Sequence, residues 1–371
     1  MATESPYNTI HFRGHLPALD GVRGIAILLV LLSHFTLREY WPTERSFYMA
    51  QSGWIGVDLF FVLSGFLITG ILLDTRGKAH YFANFYKRRA LRILPLYYFA
   101  VTVTWITVVY IERAPERLSG LDSFAWFFTF TPNVAMGLKN AYLYHSFIFN
   151  LNHLWSLAVE EQFYLLWPLI VWLLPVRYLA VLCILLVGAS TELRHLTDDM
   201  AGQKLSVASY VFTYCRMDGL ALGAFVAASL RLGWVQRIPH YLWAARALFL
   251  WSGWEVAQLF INGNQPKLWT LSSLFFTSVL LLALNPDNRS LTRRICESVP
   301  LVHLGKLSYG LYVFHHMFNF EWENWFGKPL IASGANPVVG QVLYMLLAFA
   351  CTYLLARLSW RFIEEPFLRL K

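Results

Sequence analysis

Apolar residues arrive in this sequence in blocks of roughly 18–25, the length an α-helix needs to cross about 30 Å of hydrocarbon. Ten blocks are long enough: Gly24–Leu37, Ile55–Leu73, Ile93–Ile111, Trp155–Leu174, Tyr178–Leu193, Ser206–Leu230, Tyr241–Ile261, Leu268–Leu284, Val302–Phe320 and Val338–Trp360. Composition agrees: 57% of the 371 residues are hydrophobic and 14% charged, where soluble domains carry about a quarter charged residues. The pattern excludes disorder, a disulfide-stapled secreted domain and a β-barrel, whose strands are short and alternating. The expected fold is all-α: a polytopic membrane helical bundle of about ten transmembrane helices, one domain over residues 1–371.

Charge sets the orientation. An eleventh apolar patch, Phe124–Leu138, is interrupted by Pro132 and Asn133. If it does not cross and the N-terminus is cytoplasmic, twenty Lys and Arg fall on inner segments and nine on outer ones, with Arg216 inside a span. Letting the patch cross would put the basic Arg231–Arg246 and Arg289–Arg294 loops outside, against the positive-inside rule. The favoured arrangement keeps both termini cytoplasmic and leaves Phe124–Leu138 re-entrant or surface-lying. The net charge of +8 then reflects cytoplasmic loops and calls for no nucleic acid. Cys183, Cys215, Cys296 and Cys351 are scattered without C-x-x-C spacing, so neither a metal nor a redox pair is expected. Met1–Leu19 has no apolar signal-peptide core.

Ionisable side chains at membrane depth are costly and mark function or a paired contact. Arg23 and His34 are eleven residues apart, about 1,100° of rotation, so they share one face roughly 16 Å apart. A snorkelling Arg and a hydrogen-bonded His are the bland alternative. Asp58 enters the second span about a turn below the outer surface and needs a partner; His34 is the candidate by depth. Ser64 and Gly65 sit at the centre of that span, where small residues let helices approach closely. Glu160 and Glu161 enter the fourth span after Asn152-His153-Leu154-Trp155-Ser156. Arg216 and Asp218 lie in the sixth, and Ser308, Tyr309, His315 and His316 in the ninth. At the cytoplasmic end of the third span Arg88 and Arg92 are four apart with Arg89 beside them. On composition alone they read first as a positive-inside anchor; the functional alternative is a phosphate clamp, since guanidinium forks match phosphate oxygens. Inner cations below, histidine and carboxylates above, suit a proton-coupled transporter or flippase of a lipid-linked sugar or small anion, or an enzyme using a phosphorylated donor from the cytosol. No inverted repeat or paired broken helices favour transport.

At these residues the sequence resembles the acyltransferase-3 family of integral-membrane O-acyltransferases. The matching blocks are Leu19–Gly24 through His34 (an Arg-x10-His motif), Gly56–Thr69, Tyr86–Tyr98, Leu154–Pro168, Tyr214–Gly223, Leu304–His316 and Phe362–Leu368. A lone Arg-x10-His would be weak, but seven ordered blocks covering nearly the whole chain are specific. The resemblance implies transfer of an acyl group, usually acetyl from acetyl-CoA, to a hydroxyl of a carbohydrate acceptor such as a cell-surface polysaccharide, glycolipid or glycosylated small molecule. It implies His34 as general base or transient acyl carrier, Asp58 as the acid that orients it, and Glu160 as a further catalytic candidate. Arg23, Arg88, Arg89 and Arg92 would hold the phosphates of acyl-CoA. Glu161, Ser308, Tyr309, His315 and Trp155 would line the acceptor side. Glu365 before Pro366 matches the family's terminal motif, though at a helix end it can serve as a cap. No permanently bound cofactor is implied; acyl-CoA is a donor substrate. The implied setting is the cell inner (plasma) membrane. Some relatives carry a fused extracytoplasmic SGNH hydrolase-like domain. None is recognised in this chain, so either transfer is completed alone or such a module acts as a separate partner.

Overall fold

The computed structural model describes residues 16–115, 119–143, 146–203, 205–237, 241–262, 268–285 and 290–370. Arg13, Arg117, Lys204, Lys267, Arg289 and Lys371 of the charge count lie outside them. The described residues form helices and turns with no strand. Ten helices are long: α1 (Pro17–His34), α2 (Gly56–Thr75), α3 (Tyr81–Ile106), α4 (Trp155–Leu173), α5 (Val176–Met200), α6 (Met217–Arg231), α7 (Tyr241–Asn262), α8 (Leu268–Ala283), α9 (Val299–Met317) and α10 (Pro337–Ser359). Five segments are long and apolar enough to cross a membrane: Pro17–His34, Glu44–Thr75, Tyr81–Ile111, Val176–Met200 and Pro337–Leu368. A shorter apolar helix spans Trp269–Ala283.

Glycine contacts at two helix pairs position the site. A Cβ at Gly65 of α2 would overlap the Leu220 carbonyl of α6, and one at Gly223 of α6 would overlap the Val62 carbonyl of α2. These helices touch backbone to backbone, as the small central residues of α2 lead one to expect. Between α1 and α9, Gly24 lies against Leu301 and Gly305 against Asp20. The far ends of the same pair bring His34 against His315 and His316. The two helices therefore run parallel along their length.

The apolar run Ser206–Leu230 is not one helix. A five-residue helix, Val207–Val211, ends at extended Phe212 (ψ 134°); a tight turn over Thr213–Cys215 follows, and α6 starts at Met217. Non-helical backbone at such depth survives only when its polar groups find partners within the protein. Here Asn133 Nδ2 donates to the Val211 carbonyl at 3.2 Å and to Thr213 Oγ1 at 3.0 Å. Arg194 donates to the Cys215 carbonyl from Nε at 3.1 Å and Nη2 at 2.7 Å. The partner Asn133 comes from the interrupted Phe124–Leu138 patch. That patch folds as two short helices, Ala125–Phe128 and Pro132–Lys139, neither of span length. Gln162 of α4 ties it down by donating to the Phe130 carbonyl and to Asn133 Oδ1, both at 2.9 Å.

Candidate active site

Two cavities occupy opposite ends of the α1–α9 pair, labelled inner at the Arg23 end and outer at the His34 end. The inner one, about 90 Å³, is lined by Arg23 of α1, Arg89 and Arg92 of α3, and Glu160 and Tyr164 of α4, with Ser64 of α2 and Ser308, Tyr309 and Tyr312 of α9 among its walls. Arg89 places its guanidinium 4.9 Å from the Tyr164 ring centroid, a cation–π distance. Arg88 and Arg89 are about 100° apart around the helix, to either side of Arg92, so stacking Arg89 on Tyr164 leaves Arg88 turned toward solvent. Arg88 is exposed and outside the lining, so three of the four expected arginines share this cavity and the fourth does not.

Polar groups in this cavity are chained. Tyr164 Oη donates to Ser64 Oγ at 2.9 Å, and Ser64 donates to Glu160 Oε1 at 2.7 Å. Tyr309 Oη donates to the Ile93 carbonyl at 2.7 Å. At the upper end Ser156 Oγ and Tyr312 Oη meet at 2.6 Å, and the phenol also lies 2.9 Å from the His153 carbonyl. Ser308, Tyr309, Tyr312, His315 and His316 recur at three- and four-residue spacing, which gives α9 one polar face.

The outer cavity, about 680 Å³, contains His34 in its wall. His34 Nδ1 lies 2.9 Å from the Val30 carbonyl. A carbonyl only accepts, so Nδ1 carries a proton and donates it there. Behind His34 stands a cluster of imidazoles. Ring centroids of His315 and His316 lie 4.9 and 4.8 Å from His34, and 5.3 and 5.0 Å from His153. His315 is fully buried; its Nδ1 donates to the Tyr312 carbonyl at 2.6 Å and its Nε2 has no protein partner. The rings pack mostly edge to face, and among the described residues no group of three or more His, Cys, Asp or Glu is arranged to hold a metal ion. From below upward the order is inner cavity, Ser156–Tyr312, His153 and His315, His34, outer cavity.

Asp58 does not serve His34. Its carboxylate is bound by Arg216 and Ser272, all three buried. Depth suggested His34, but azimuth decides: Asp58 lies seven residues before Gly65, on the same face of α2, and that face packs on α6. The second buried acid of this region, Asp218, takes Arg194 Nη2 at 2.7 Å and Thr270 Oγ1 at 2.9 Å. Arg216 and Asp218 therefore each pair across helices and not with one another. Trp155 lines neither cavity but packs over Arg216. Glu161 lies outside both linings with Oε1 buried and unpartnered. Glu365, matched to the terminal motif, pairs with Arg369 at 2.9 Å, one helical turn on.

Of the expected residues, Arg23, Arg89, Arg92, Glu160, Ser308 and Tyr309 share the inner cavity, and His34 lines the outer one, touching His315. Ser308 and Tyr309 thus sit with the arginines and not on the acceptor side expected for them. Sequence reasoning missed Tyr164, Ser156 and Tyr312. A helical wheel could have found them, since Tyr164 is four residues from Glu160 and Tyr312 four from Ser308.

The described residues thus define a helical membrane-type bundle with a cavity lined by three arginines at one end of the α1–α9 pair and a cavity with His34 in its wall at the other. The chain belongs to the acyltransferase-3 family: the family profile, described as an acyltransferase domain, matches residues 16–357. Among curated proteins it is 30% identical to O-acetyltransferase OatA of Staphylococcus aureus, over 95% of this chain and 57% of that protein. It is 29% identical to peptidoglycan O-acetyltransferase OatA of Listeria monocytogenes, over 96% of this chain and 56% of that one. Against putative peptidoglycan O-acetyltransferase YrhL of Bacillus subtilis the identity is 31%, over 97% and 56%. The chain spans a little over half the length of these relatives. No solved structure matches.

Proposed function

We propose that this chain is a multi-pass O-acetyltransferase of the inner (plasma) membrane that moves an acetyl group from a cytoplasmic acyl-CoA to a carbohydrate hydroxyl. Ten crossings with both termini cytoplasmic put the inner cavity toward the cytosol and the outer cavity toward the opposite face. The observation that carries the reading is the state of His34: its Nδ1–H is held by the Val30 carbonyl, leaving Nε2 as the base in the wall of the outer cavity. Arg23, Arg89 and Arg92 supply bidentate donors for the donor's phosphates. The thioester arm enters past Glu160 and Ser308 toward Ser156 and Tyr312.

In this reading the acceptor hydroxyl gives its proton to His34 Nε2 as its oxygen attacks the thioester carbon. A C–O bond forms and the C–S bond breaks; the departing thiolate takes the proton from the imidazolium. A general base of this kind contributes about 10²–10⁴-fold. The family relatives are named O-acetyltransferases, two of them for peptidoglycan, which favours a glycan acceptor. An extracytoplasmic SGNH-type partner fits the same scheme as a second acceptor-side module.

The test is His34→Ala in purified protein, with thioester consumption and acetylation of an added glycan followed together. Loss of both by at least about a hundredfold is expected in a variant that stays folded and inserted. Normal turnover in that variant, or glycan movement without thioester cleavage, would overturn the assignment.

A further inference from the structure

The last long helix ends in a second arginine cluster, on its exposed side. A surface cavity of about 560 Å³ is lined by Arg357 and Leu358 near the end of α10, then by Trp360, Arg361, Glu365 and Arg369. It shares no residue with the inner or the outer cavity. The four charged side chains recur every four residues, a row that drifts by about 40° per step around an α-helix. Between them, over Trp360–Glu364, the backbone takes a π turn. Its i→i+5 bonds wind fewer degrees per residue and pull the row back toward one side. Arg357 and Arg369 can thus face one cavity.

Charge in this cavity is unbalanced. Glu365 is already engaged by Arg369 Nη2 at 2.9 Å. Arg357 and Arg361 are exposed and form no ion pair among the described residues; the Arg361 guanidinium stands 5.8 Å from the Phe362 ring. Three guanidinium groups against one carboxylate leave a formal charge of +2. Apolar surface runs straight up to these cations. Leu343, Leu347, Leu354 and Leu358 are exposed and, at spacings of four and seven, share one face of α10. The segment Pro337–Leu368 is long and apolar enough to cross a membrane, so this face meets hydrocarbon and the arginines meet the headgroup layer, where tryptophans such as Trp360 are enriched. A soluble anion would use the arginines and leave the apolar face idle. A zwitterionic lipid brings an ammonium group for which the engaged Glu365 is no free partner. An anionic phospholipid uses both surfaces.

We propose that this cavity seats the headgroup of an anionic phospholipid, with its phosphate gripped by Arg357 and Arg361 and its acyl chains lying along the leucine face of α10. Guanidinium forks suit phosphate oxygens. On the orientation proposed above, the lipid stands in the cytoplasmic leaflet. The site requires the span and no acyl transfer, so it fails or survives apart from the reaction.

The experiment titrates the purified full chain in detergent with dioleoylphosphatidylglycerol, dioleoylphosphatidylcholine and sn-glycerol 3-phosphate, and counts bound ligand by native mass spectrometry. Arg357→Gln and Arg361→Gln should each weaken phosphatidylglycerol about fivefold, and the double variant about 25-fold, from the usual worth of one basic side chain at an anionic headgroup. All these side chains are exposed, so the variants should fold. Arg294→Gln, which removes an exposed arginine outside this cavity, should leave the affinity unchanged; that separates a built site from general attraction to positive charge. Wild type should prefer phosphatidylglycerol to phosphatidylcholine and bind glycerol phosphate weakly. Equal binding of the two lipids, an equal loss in Arg294→Gln, or unchanged affinity in the folded double variant would overturn the proposal. Glycerol phosphate bound as tightly as the lipid would overturn it in favour of a soluble phosphate ligand.

Discussion

The hydroxyls of Ser156 and Tyr312 meet at 2.6 Å in the wall of the inner cavity, and the Tyr312 ring lies 5.3 Å from that of His153 and 5.4 Å from that of His315. In the proposed reaction the thioester passes this pair on its way to His34. Tyr312→Phe removes the phenol's contacts with Ser156 and the His153 carbonyl, worth about 1–3 kcal/mol together. The expected result is a lower midpoint of thermal unfolding and at least a tenfold fall in transfer rate, checked by detergent-phase unfolding and by acetylation assay. Full activity in a folded Tyr312→Phe protein would remove the hydroxyl from the route.

The arginines divide three to one. Arg23→Gln, Arg89→Gln and Arg92→Gln should each raise the KM for acetyl-CoA by about 10- to 150-fold, the cost of losing a hydrogen bond to a charged group. Arg88→Gln should change it by less than about threefold, since an exposed cation acts through screened solvent. Steady-state kinetics with acetyl-CoA varied at fixed acceptor separates the two groups.

Asp58 offers a choice between two roles with different signatures. As the partner of a catalytic histidine it would, when changed to Asn, cut kcat by about 10⁴ in an intact fold. As the anchor of Arg216 it leaves a buried guanidinium unpaired, which costs about 3–5 kcal/mol. The buried pairing with Arg216 favours the second: Asp58→Asn is expected to unfold at markedly lower temperature. Replacing both partners, Asp58→Leu with Arg216→Met, should recover much of the lost stability because no stranded charge remains. Calorimetry on the single and double variants decides it.

Close helix contact makes its own demand. Gly65→Ala puts a methyl group into the Leu220 carbonyl of α6, and a backbone cannot swing aside as a side chain does. A destabilisation of about 1–3 kcal/mol or failure to accumulate is expected, read from the folded yield after membrane extraction. A well-tolerated Gly65→Ala would mean that α2 and α6 sit farther apart.

Much of this was visible in the chain itself. Apolar block length marked nine of the long helices to within a few residues at most ends, and the Pro132-Asn133 interruption marked the patch that folds short. Arg23 and His34 could be placed on one face because helical geometry needs only a count of residues. What failed was angle and partner. Asp58 had the right depth for His34, but its direction depends on which neighbour α2 packs against, and that is set by Gly65 and Gly223 meeting a helix 150 residues away. The break at Phe212 carries neither Pro nor Gly; it persists because Asn133 and Arg194 satisfy the freed backbone, and no local pattern reports such distant donors. Tyr312 and Ser156 were legible in part: helical spacing puts Tyr312 on the face of Ser308 and Ser156 on that of Glu160, but that the two meet is set by the fold.

Since Arg23 and His34 belong to the same unbroken helix, their separation is a fixed length of about 16 Å. The α1 helix acts as a ruler. A single molecule that grips the first and delivers its reactive carbon to the second must itself reach that far, so small thioesters lacking a long phosphorylated tail fall short by geometry, whatever their intrinsic reactivity.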